Sequence, residues 1–336
     1  MSMIPYLAVV WAVILAVAVA MYVVMDGFDL GIGILFPTRR DEIERDQMMN
    51  AVAPFWDGNE TWLVLGGGGL LVAFPLAYSI LLPALYIPVI VMLLGLILRG
   101  VAFEFRWVAK PRHGFWDGAF FLGSLIAAFA QGCVLGGFLQ GVQVTDGEFS
   151  GKPFDWLTPF SVFCGVGLCI GYALLGSTWL IYKTEGAVQA HARRTARVLL
   201  LLVLAFIAAV SLWTPLEFPR IAERWFRLRN VAFLWPVPVV TAALAILVWR
   251  GLRRGADLVP FVGSVGLFLL SFLGLGISTF PDVVPPHISI YDAAAPPATS
   301  IFALMGTLFI LPFIFGYTAL VYWTFRGKVR ADEGYH

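Results

Sequence analysis

The sequence predicts an all-α polytopic membrane protein, with its 336 residues in one integral membrane domain (residues 1–336) of about nine transmembrane helices. Hydrophobic residues make up 60% of the chain, and its mean hydropathy is +0.86. Charged residues contribute 13%, whereas soluble domains contain about 25%. The apolar residues form continuous runs without the alternation of barrel strands, so helices are the spanning structure that fits.

Nine apolar segments are long enough to cross about 30 Å of hydrocarbon as helices. The first ends before a mixed-charge stretch at residues 37–49, and polar connections at 142–156, 215–229 and 281–298 separate later segments. The last of these connections is rich in proline, which indicates a stiff surface loop. The predicted spans are residues 6–36, 50–73, 77–107, 115–141, 157–182, 197–214, 230–250, 259–280 and 299–325.

Glycines and prolines mark the second and third predicted spans. The second contains Gly66–Gly69 in an unbroken run, which favours close packing of helices; a passage for a small molecule is the alternative. The third contains Pro83 and Pro88. Kinks at these prolines are tolerated in a membrane because neighbouring helices can bond the freed carbonyl groups.

The distribution of Lys and Arg predicts the orientation in the membrane. Sixteen of the 22 basic residues, including Lys110 and Arg112, fall in alternate connections and near the C-terminus, and five fall in the opposite connections. Basic residues collect on the cytoplasmic side, so the N-terminus is predicted outside and the C-terminus inside.

The net charge of +1 provides no basic patch, and no nucleic-acid partner is expected.

Two acidic pairs lie inside apolar segments: Asp26 with Asp29, and Asp57 with Glu60. A carboxylate near the bilayer centre costs about 3 kcal/mol on insertion scales, so these four groups indicate a function. Residues three apart project from nearly one helix face, and the two pairs could face each other and relay protons with waters. Alternatively, the acids lie among headgroups or only bond neighbouring helices. The relay is favoured for Asp29 and Asp57, while both interpretations stay open for Asp26 and Glu60.

Arg99 lies near the inner end of the third predicted span, and its role has two interpretations. Its guanidinium could extend to the cytoplasmic interface, or it could pair with one of the acids. Pairing would tune the proton affinity of that carboxyl group.

The histidines and cysteines do not predict a haem or metal centre in this chain. A haem in a helical bundle needs axial His, or His with Met, from the spans, but all four histidines are predicted in loops or at the terminus: His113, His191, His287 and His336. The cysteines lie in spans without a C-x-x-C pair, which indicates buried thiols and no zinc or disulfide framework. They are Cys133, Cys164 and Cys169.

Six motifs run from the first predicted span to the last. They are DGFDLGIGILFP, WDGNETWLVLGGGGLLVAFPLAYS, LRGVAFEFR, FPDVVPP, ISIYDAAAP and YWTFRGKV. Together they resemble subunit II of the cytochrome bd quinol oxidases, and the second motif is long and specific. The compact chain length is similar to the shorter, cyanide-insensitive branch.

The resemblance implies a bacterial inner-membrane complex that oxidises membrane quinol and reduces dioxygen to water, with the N-terminus of this subunit periplasmic and its C-terminus cytoplasmic. It implies a fold of two four-helix bundles plus one peripheral helix in the lipid bilayer. Two b-type haems and one d-type haem would reside in the partner, subunit I, and none in this chain. Some family members also have a small single-helix accessory subunit or a tightly bound quinone.

The resemblance also assigns a proton path from the cytoplasm, with no catalytic residue in this chain. Asp29 and Asp57 match positions on that path. Glu60 stands where some members carry an amide, so an acid at this position is not required throughout the family. The predicted path comprises Asp26, Asp29, Trp56, Asp57, Asn59, Glu60 and Arg99.

Two other functions use the same acids. A proton-coupled secondary transporter would couple them to substrate movement, but the sequence lacks an inverted repeat with matched broken helices. A purely structural partner subunit would use them only to hold helices together.

Overall fold

The computed structural model describes residues 4–109 and 113–330, which are mostly helical. Lys110, Arg112 and His336, used above in the charge and histidine arguments, lie outside the described residues. The helices are α1 (Ile4–Leu35), α2 (Glu42–Asn50), α3 (Trp56–Ala73), α4 (Pro75–Ala84), α5 (Tyr86–Val108), α6 (Gly114–Gln140), α7 (Pro159–Lys183), α8 (Gly186–Glu217), α9 (Pro219–Phe226), α10 (Leu228–Leu234), α11 (Pro236–Arg254), α12 (Leu258–Thr279) and α13 (Pro297–Thr324), with a 3-10 helix at Phe36–Thr38.

Eight of the described helical segments are long and apolar enough to cross a membrane: α1, α5, α6, α7, α8, α11 with the end of α10, α12 and α13. This confirms the all-helical polytopic class. Helix α3 has 18 residues, but Asp57, Asn59, Glu60 and five glycines lower its hydropathy. The count of nine spans and the arrangement in two four-helix bundles plus one peripheral helix therefore stay predictions.

Two predicted spans begin at different residues in the structure. The predicted span 50–73 starts six residues later, because α2 ends at Asn50 and turns occupy residues 51–55 before α3. The predicted span 197–214 lies within α8, which starts at Gly186 because residues 187–197 contain no Pro or Gly and many good helix formers. His191 is therefore in a helix and not in a loop, which corrects the sequence prediction.

The predicted span 77–107 is broken into α4 and α5. Pro88 has no N–H group to bond the carbonyl of Ala84, four residues earlier, and proline in a helix interior removes this bond. Helix α4 ends at Ala84, Leu85 adopts a non-helical conformation, and α5 begins at Tyr86. The crossing segment is therefore the 23-residue α5.

Ion pairs at one end of the bundle establish the path of the chain from α2 to α6. Arg106, at the end of α5, bonds Asp46 of α2 and Asp117 of α6, and it is fully buried. Arg45 of α2 also bonds Asp117 at 2.8 Å. Residues 36–55 and the start of α6 therefore lie at the same end, and the chain runs away through α3 and α4 and returns through α5.

Small hairpins close the opposite end of the bundle. Strands β1 (Val144–Thr145) and β2 (Glu148–Phe149) pair, as do β3 (Asp282–Val284) and β4 (Ile288–Ser289). Val284 and Ile288 are buried with residues of α1 and α4. The proline-rich connection, predicted as a surface loop, is therefore partly packed into the protein.

Glycines allow helices α1 and α7 to approach closely. A Cβ atom on Gly31 would lie 1.8 Å from the Tyr172 carbonyl oxygen, and one on Gly176 would lie 2.5 Å from the carbonyl carbon of Gly31. Gly95 and Gly123 bring α5 and α6 together in the same way. Small residues at helix interfaces are typical of membrane proteins, and here they seal the interior around α1.

The four-glycine run of α3 is only partly used for packing. Gly69 faces Leu15 of α1, where an added Cβ would lie 2.6 Å from the Leu15 side chain. Around Gly67 and Gly68, no described atom lies within 4 Å of such a position. The expected close packing of helices is therefore found at Gly69 and not at Gly67 or Gly68.

Replacing Gly31 by Ala is expected to destabilise the protein, because the added Cβ would overlap the Tyr172 carbonyl and force α1 and α7 apart. Overpacking of this kind costs about 1–3 kcal/mol. A lower Tm of the purified complex would show it. Gly276→Ala in α12 is the control, since no described atom lies within 4 Å of its added Cβ. An unchanged Tm for Gly31→Ala would contradict the close helix approach.

Candidate functional site

Two carboxyl groups of α1 are sealed inside the helical bundle. Asp26 is 0% exposed and Asp29 is 1% exposed. Between them, Gly27 lies against the Tyr172 ring of α7, where an added Cβ would approach within 2.7 Å. Close packing by α7 thus covers one side of α1, and the acids contact side chains from α3 and α5.

Arg99 joins α1, α3 and α5 through ion pairs. Its Nη2 atom bonds Asp26 Oδ1 and lies 2.8 Å from Glu60 Oε1, and its side chain is fully buried. The guanidinium carbon lies 5.5 Å from the centroid of the Trp56 ring, a cation–π distance. Of the two interpretations of Arg99, the structure shows pairing with acids.

The charges around Arg99, two of them on the buried Asp26 and Asp29 and one on the half-buried Glu60, do not balance when every carboxyl group is ionised. Asp26, Asp29 and Glu60 surround one guanidinium, that of Arg99. A buried charge is costly unless it is paired. The group of four is neutral only when two of the three carboxyl groups carry protons, so the arrangement can hold protons.

Asp29 is connected to α3 and α13 by hydrogen bonds. Asn59 Nδ2 donates to Asp29 Oδ2 at 2.7 Å and to the Met25 carbonyl at 3.3 Å. Asn59 Oδ1 accepts a bond of 3.0 Å from the Tyr322 hydroxyl. Tyr322 is the first residue of the YWTFRGKV motif, and no local sequence pattern indicates this contact.

A cavity of about 450 Å³ lies beside this hydrogen-bonded chain. It is lined by the start of α3, the end of α5 and the end of α13. Its polar side chains include Asp57, Asn59, Glu104 and Tyr322. Asn59 and Tyr322 therefore lie between the cavity and Asp29.

The structure places Asp57 apart from the other three acids. Asp57 is exposed in the cavity, and among the described residues no hydrogen bond or ion pair joins it to Asp26, Asp29 or Glu60. Of the second acidic pair, only Glu60 meets the first pair, at Arg99. Asp57 lies in the first turn of α3, where free N–H groups favour a carboxylate, whereas the longer Glu60 side chain reaches inward to Arg99.

Trp56 of α3, the remaining predicted site residue, packs against α5 beside Arg99. Its ring stacks on Phe103 with a centroid distance of 5.3 Å. It also lines the cavity and contacts Arg99 through its ring face. Its position separates the cavity from the Arg99 ion pairs.

The described histidines lie away from the acids of this site. His113 bonds Glu42 at 2.9 Å near the ion pairs of Arg106, and His191 bonds Thr38 at 3.1 Å. His287 is exposed after β3. None of the three lines the cavity beside Asn59. The three cysteines are buried and unpaired.

Comparison with known sequences gives consistent matches over nearly the whole chain. The family profile described as cytochrome bd terminal oxidase subunit II matches residues 7–325. Cytochrome bd-I ubiquinol oxidase subunit 2 of Escherichia coli (strain K12) is 30% identical over 364 residues, covering 96% of this chain and 95% of that protein. Cytochrome bd ubiquinol oxidase subunit 2 of Bacillus subtilis (strain 168) is 32% identical over 342 residues, covering 96% and 97%.

A solved structure has the same fold. A chain of the bd oxidase from Geobacillus thermodenitrificans superimposes with a TM-score of 0.78, covering 95% of this chain and 98% of that chain at 19% sequence identity. At this identity the likeness concerns the fold alone, while the profile and the two relatives show the family. The chain therefore belongs to the family of cytochrome bd terminal oxidase subunit II, and it is a subunit of a quinol oxidase complex, with a partner subunit I, in the bacterial inner membrane.

Proposed function

We propose that this chain is a haem-free subunit that carries protons from the cytoplasmic side toward subunit I and supports the assembly of that subunit. One observation carries the proposal. Buried Asp29 is linked through Asn59 and Tyr322 to a cavity that holds the exposed carboxylate of Asp57. In this arrangement the cavity admits water beside Asn59, and water carries the proton, while the Asn59 amide orients Asp29 and does not itself transfer a proton.

In this proposal the two principal acids have different tasks. Asp57 collects protons from water in the cavity, since its side chain is exposed there. Asp29 accepts a proton inside the bundle, because its Oδ1 atom has no hydrogen-bond partner among the described residues. A proton on Asp29 also brings the group of three carboxyls and Arg99 closer to neutrality.

The remaining acids hold the site together. Asp26 and Glu60 both form ion pairs with Arg99. Through these pairs they connect α1, α3 and α5. This is the observation that favours a structural contribution beside the relay.

The chemistry of oxygen reduction lies outside this chain in the proposed complex. Two b-type haems and one d-type haem reside in subunit I, and the substrates are membrane quinol and dioxygen. The lipid bilayer surrounds the complex, with the N-terminus of this chain periplasmic and its C-terminus cytoplasmic. A bound quinone, a small single-helix accessory subunit and membership of the cyanide-insensitive branch stay predictions. Because the chain belongs to the cytochrome bd subunit II family, the proton-coupled transporter is no longer a candidate function.

Replacing Asp29 by Asn, or Asp57 by Asn, is expected to lower oxygen consumption with quinol about tenfold or more, since positioned proton-transfer groups contribute at least that much. Haem content, measured from the reduced-minus-oxidised spectrum of the purified complex, should stay normal. Asp146→Asn, in the exposed turn between β1 and β2, is the control. Asp146 has φ +52°, which Asn tolerates. Full turnover with normal haem would end the relay proposal, and lost haem would favour a structural role.

Replacing Arg99 by Leu is expected to prevent assembly, because it leaves Asp26 and Glu60 without their cation. Breaking a buried pair in this way costs about 3–5 kcal/mol. The yield of haem-containing complex and its Tm measure the effect. Adding Asp26→Asn to Arg99→Leu should restore part of the yield, because one unpaired charge is removed. No recovery in the double variant would show that charge balance is not what Arg99 contributes.

A further inference from the structure

Asn59 has a defined orientation because all of its polar atoms are used. Both contacts of Nδ2 go to α1: the Asp29 carboxylate and the Met25 carbonyl. A main-chain carbonyl can only accept a hydrogen bond, so the amide N–H groups face α1 and Oδ1 faces α13. There Oδ1 accepts the hydrogen bond from the Tyr322 hydroxyl. Asn59 is 1% exposed, so water does not readily replace this donor.

Tyr322 is fixed by contacts on both sides of its ring. It stacks on Phe55 with a centroid distance of 4.5 Å and lies edge-on to Trp179 at 6.0 Å. Tyr322 lines the cavity, and its hydroxyl donates to Asn59. One side chain thus contacts both the cavity and the buried amide.

The chain after α13 holds the helix end in place. The ammonium group of Lys183, at the end of α7, donates to the Phe325 carbonyl and to the Gly327 carbonyl at 2.6 Å. Val329 N donates to the Lys183 carbonyl at 2.7 Å. Gln47 of α2 donates to the Val329 carbonyl at 2.8 Å. These bonds anchor the segment that follows Tyr322 to α2 and α7.

We propose that Tyr322 is a positioning residue of the proton path, whose hydroxyl keeps the Asn59 amide directed at Asp29 and thereby favours the ionised, proton-accepting carboxylate. This inference rests on the proposed function. An N–H donor stabilises a carboxylate more than a protonated carboxyl group, and a donor on the amide oxygen strengthens the N–H groups of the same amide. Loss of the hydroxyl leaves Oδ1 buried without a donor and weakens the bond to Asp29.

Charged and titratable side chains from several helices lie near Asp29. Helix α12, which also contacts α1, contains no titratable side chain. Tyr172 of α7 donates to Gln131 of α6, and Asp117 of α6 is held by Arg106 at the helix end. The groups that face Asp29 are Asp26 of α1, Glu60 of α3, Arg99 of α5 and Tyr322 of α13, with Asp57 beside Glu60.

The Tyr322→Phe variant tests the inference, because it keeps the stacked ring and removes the hydroxyl. Turnover falls at low pH when Asp29 no longer releases its proton. A change that favours the protonated carboxyl group therefore moves the acid limb of the pH profile to higher pH. The expected displacement is about 0.5–1 pH unit, which corresponds to one hydrogen bond of about 1 kcal/mol. Haem content is expected to stay normal.

Tyr182→Phe is the matched control. Tyr182 lies in the same aromatic cluster, 5.7 Å from Trp179 between ring centroids. Its hydroxyl has no hydrogen bond to any described residue, and it does not line the cavity. Its pH profile should match that of the parent complex. An equal displacement in Tyr182→Phe would assign the effect to the aromatic cluster and overturn the inference.

Two further measurements separate positioning from a loss of stability. In the Asn59→Ala background, Tyr322→Phe should displace the acid limb no further, because the amide through which Tyr322 acts is absent. An additional displacement of the same size would overturn the inference.

The second measurement is the infrared C=O band of protonated carboxyl groups, which is assigned to Asp29 by its loss in Asp29→Asn. This band should persist to higher pH in Tyr322→Phe. An unchanged band would also overturn the inference.

The Asp29→Asn complex distinguishes failure of this inference from failure of the proposed function. If Asp29→Asn abolishes the acid limb and Tyr322→Phe leaves it in place, the positioning role is wrong and the proton path stands. If Asp29→Asn leaves turnover and the acid limb unchanged, the proton path itself is wrong, and the role of Tyr322 is wrong with it.

Discussion

The ion pairs of Arg99 are the interaction on which the rest of the site depends. A single guanidinium, fully buried, is bonded to carboxylates from α1 and α3 while its own backbone belongs to α5. In a low-dielectric interior each of these charges would be costly alone. The three helices must therefore stay close enough to keep Arg99 in contact with Asp26 and Glu60, and this requirement shapes the interior around Asp29.

The glycine contacts make this arrangement possible. Gly123 of α6 lies against the backbone of Arg99, where an added Cβ would come within 2.7 Å of its nitrogen. Gly31 lies against the backbone of α7 on the other side of α1. Larger residues at these positions would hold the helices apart and admit water. The small residues therefore help to keep Asp26 and Asp29 buried, and protonation of a buried group changes the local energy strongly.

The sequence predicts the helical class and the buried acids well, and the reasons are simple. Continuous apolar runs are sufficient for the class, and a carboxylate inside such a run stands out by its energetic cost. Predicted ends agree within about two residues for α6, α7, α12 and α13, where turn or polar residues follow directly. The break between α4 and α5 at Leu85 was not predicted, because membrane helices often continue through proline.

The directions in which the site side chains point could not be predicted from the sequence. Asp57 and Glu60 have the same spacing as Asp26 and Asp29, yet Asp57 faces the cavity and Glu60 faces Arg99. The difference depends on where α3 begins, and helix starts are poorly determined by sequence. Tyr322 is 263 residues from Asn59, so no local pattern could connect them. Only the packing of α13 against α3 brings them together.

These contacts divide the acids into two groups with different physical constraints. Asp26 and Glu60 are tied to a cation, so protonating either one costs the attraction to Arg99. Asp29 is bonded only to a neutral amide, and its second oxygen has no partner among the described residues. Of the three carboxyl groups near Arg99, Asp29 is therefore the one whose protonation breaks no ion pair. Because its amide partner also contacts Tyr322, the group whose protonation breaks no ion pair is also the one linked by hydrogen bonds to a residue that lines the cavity.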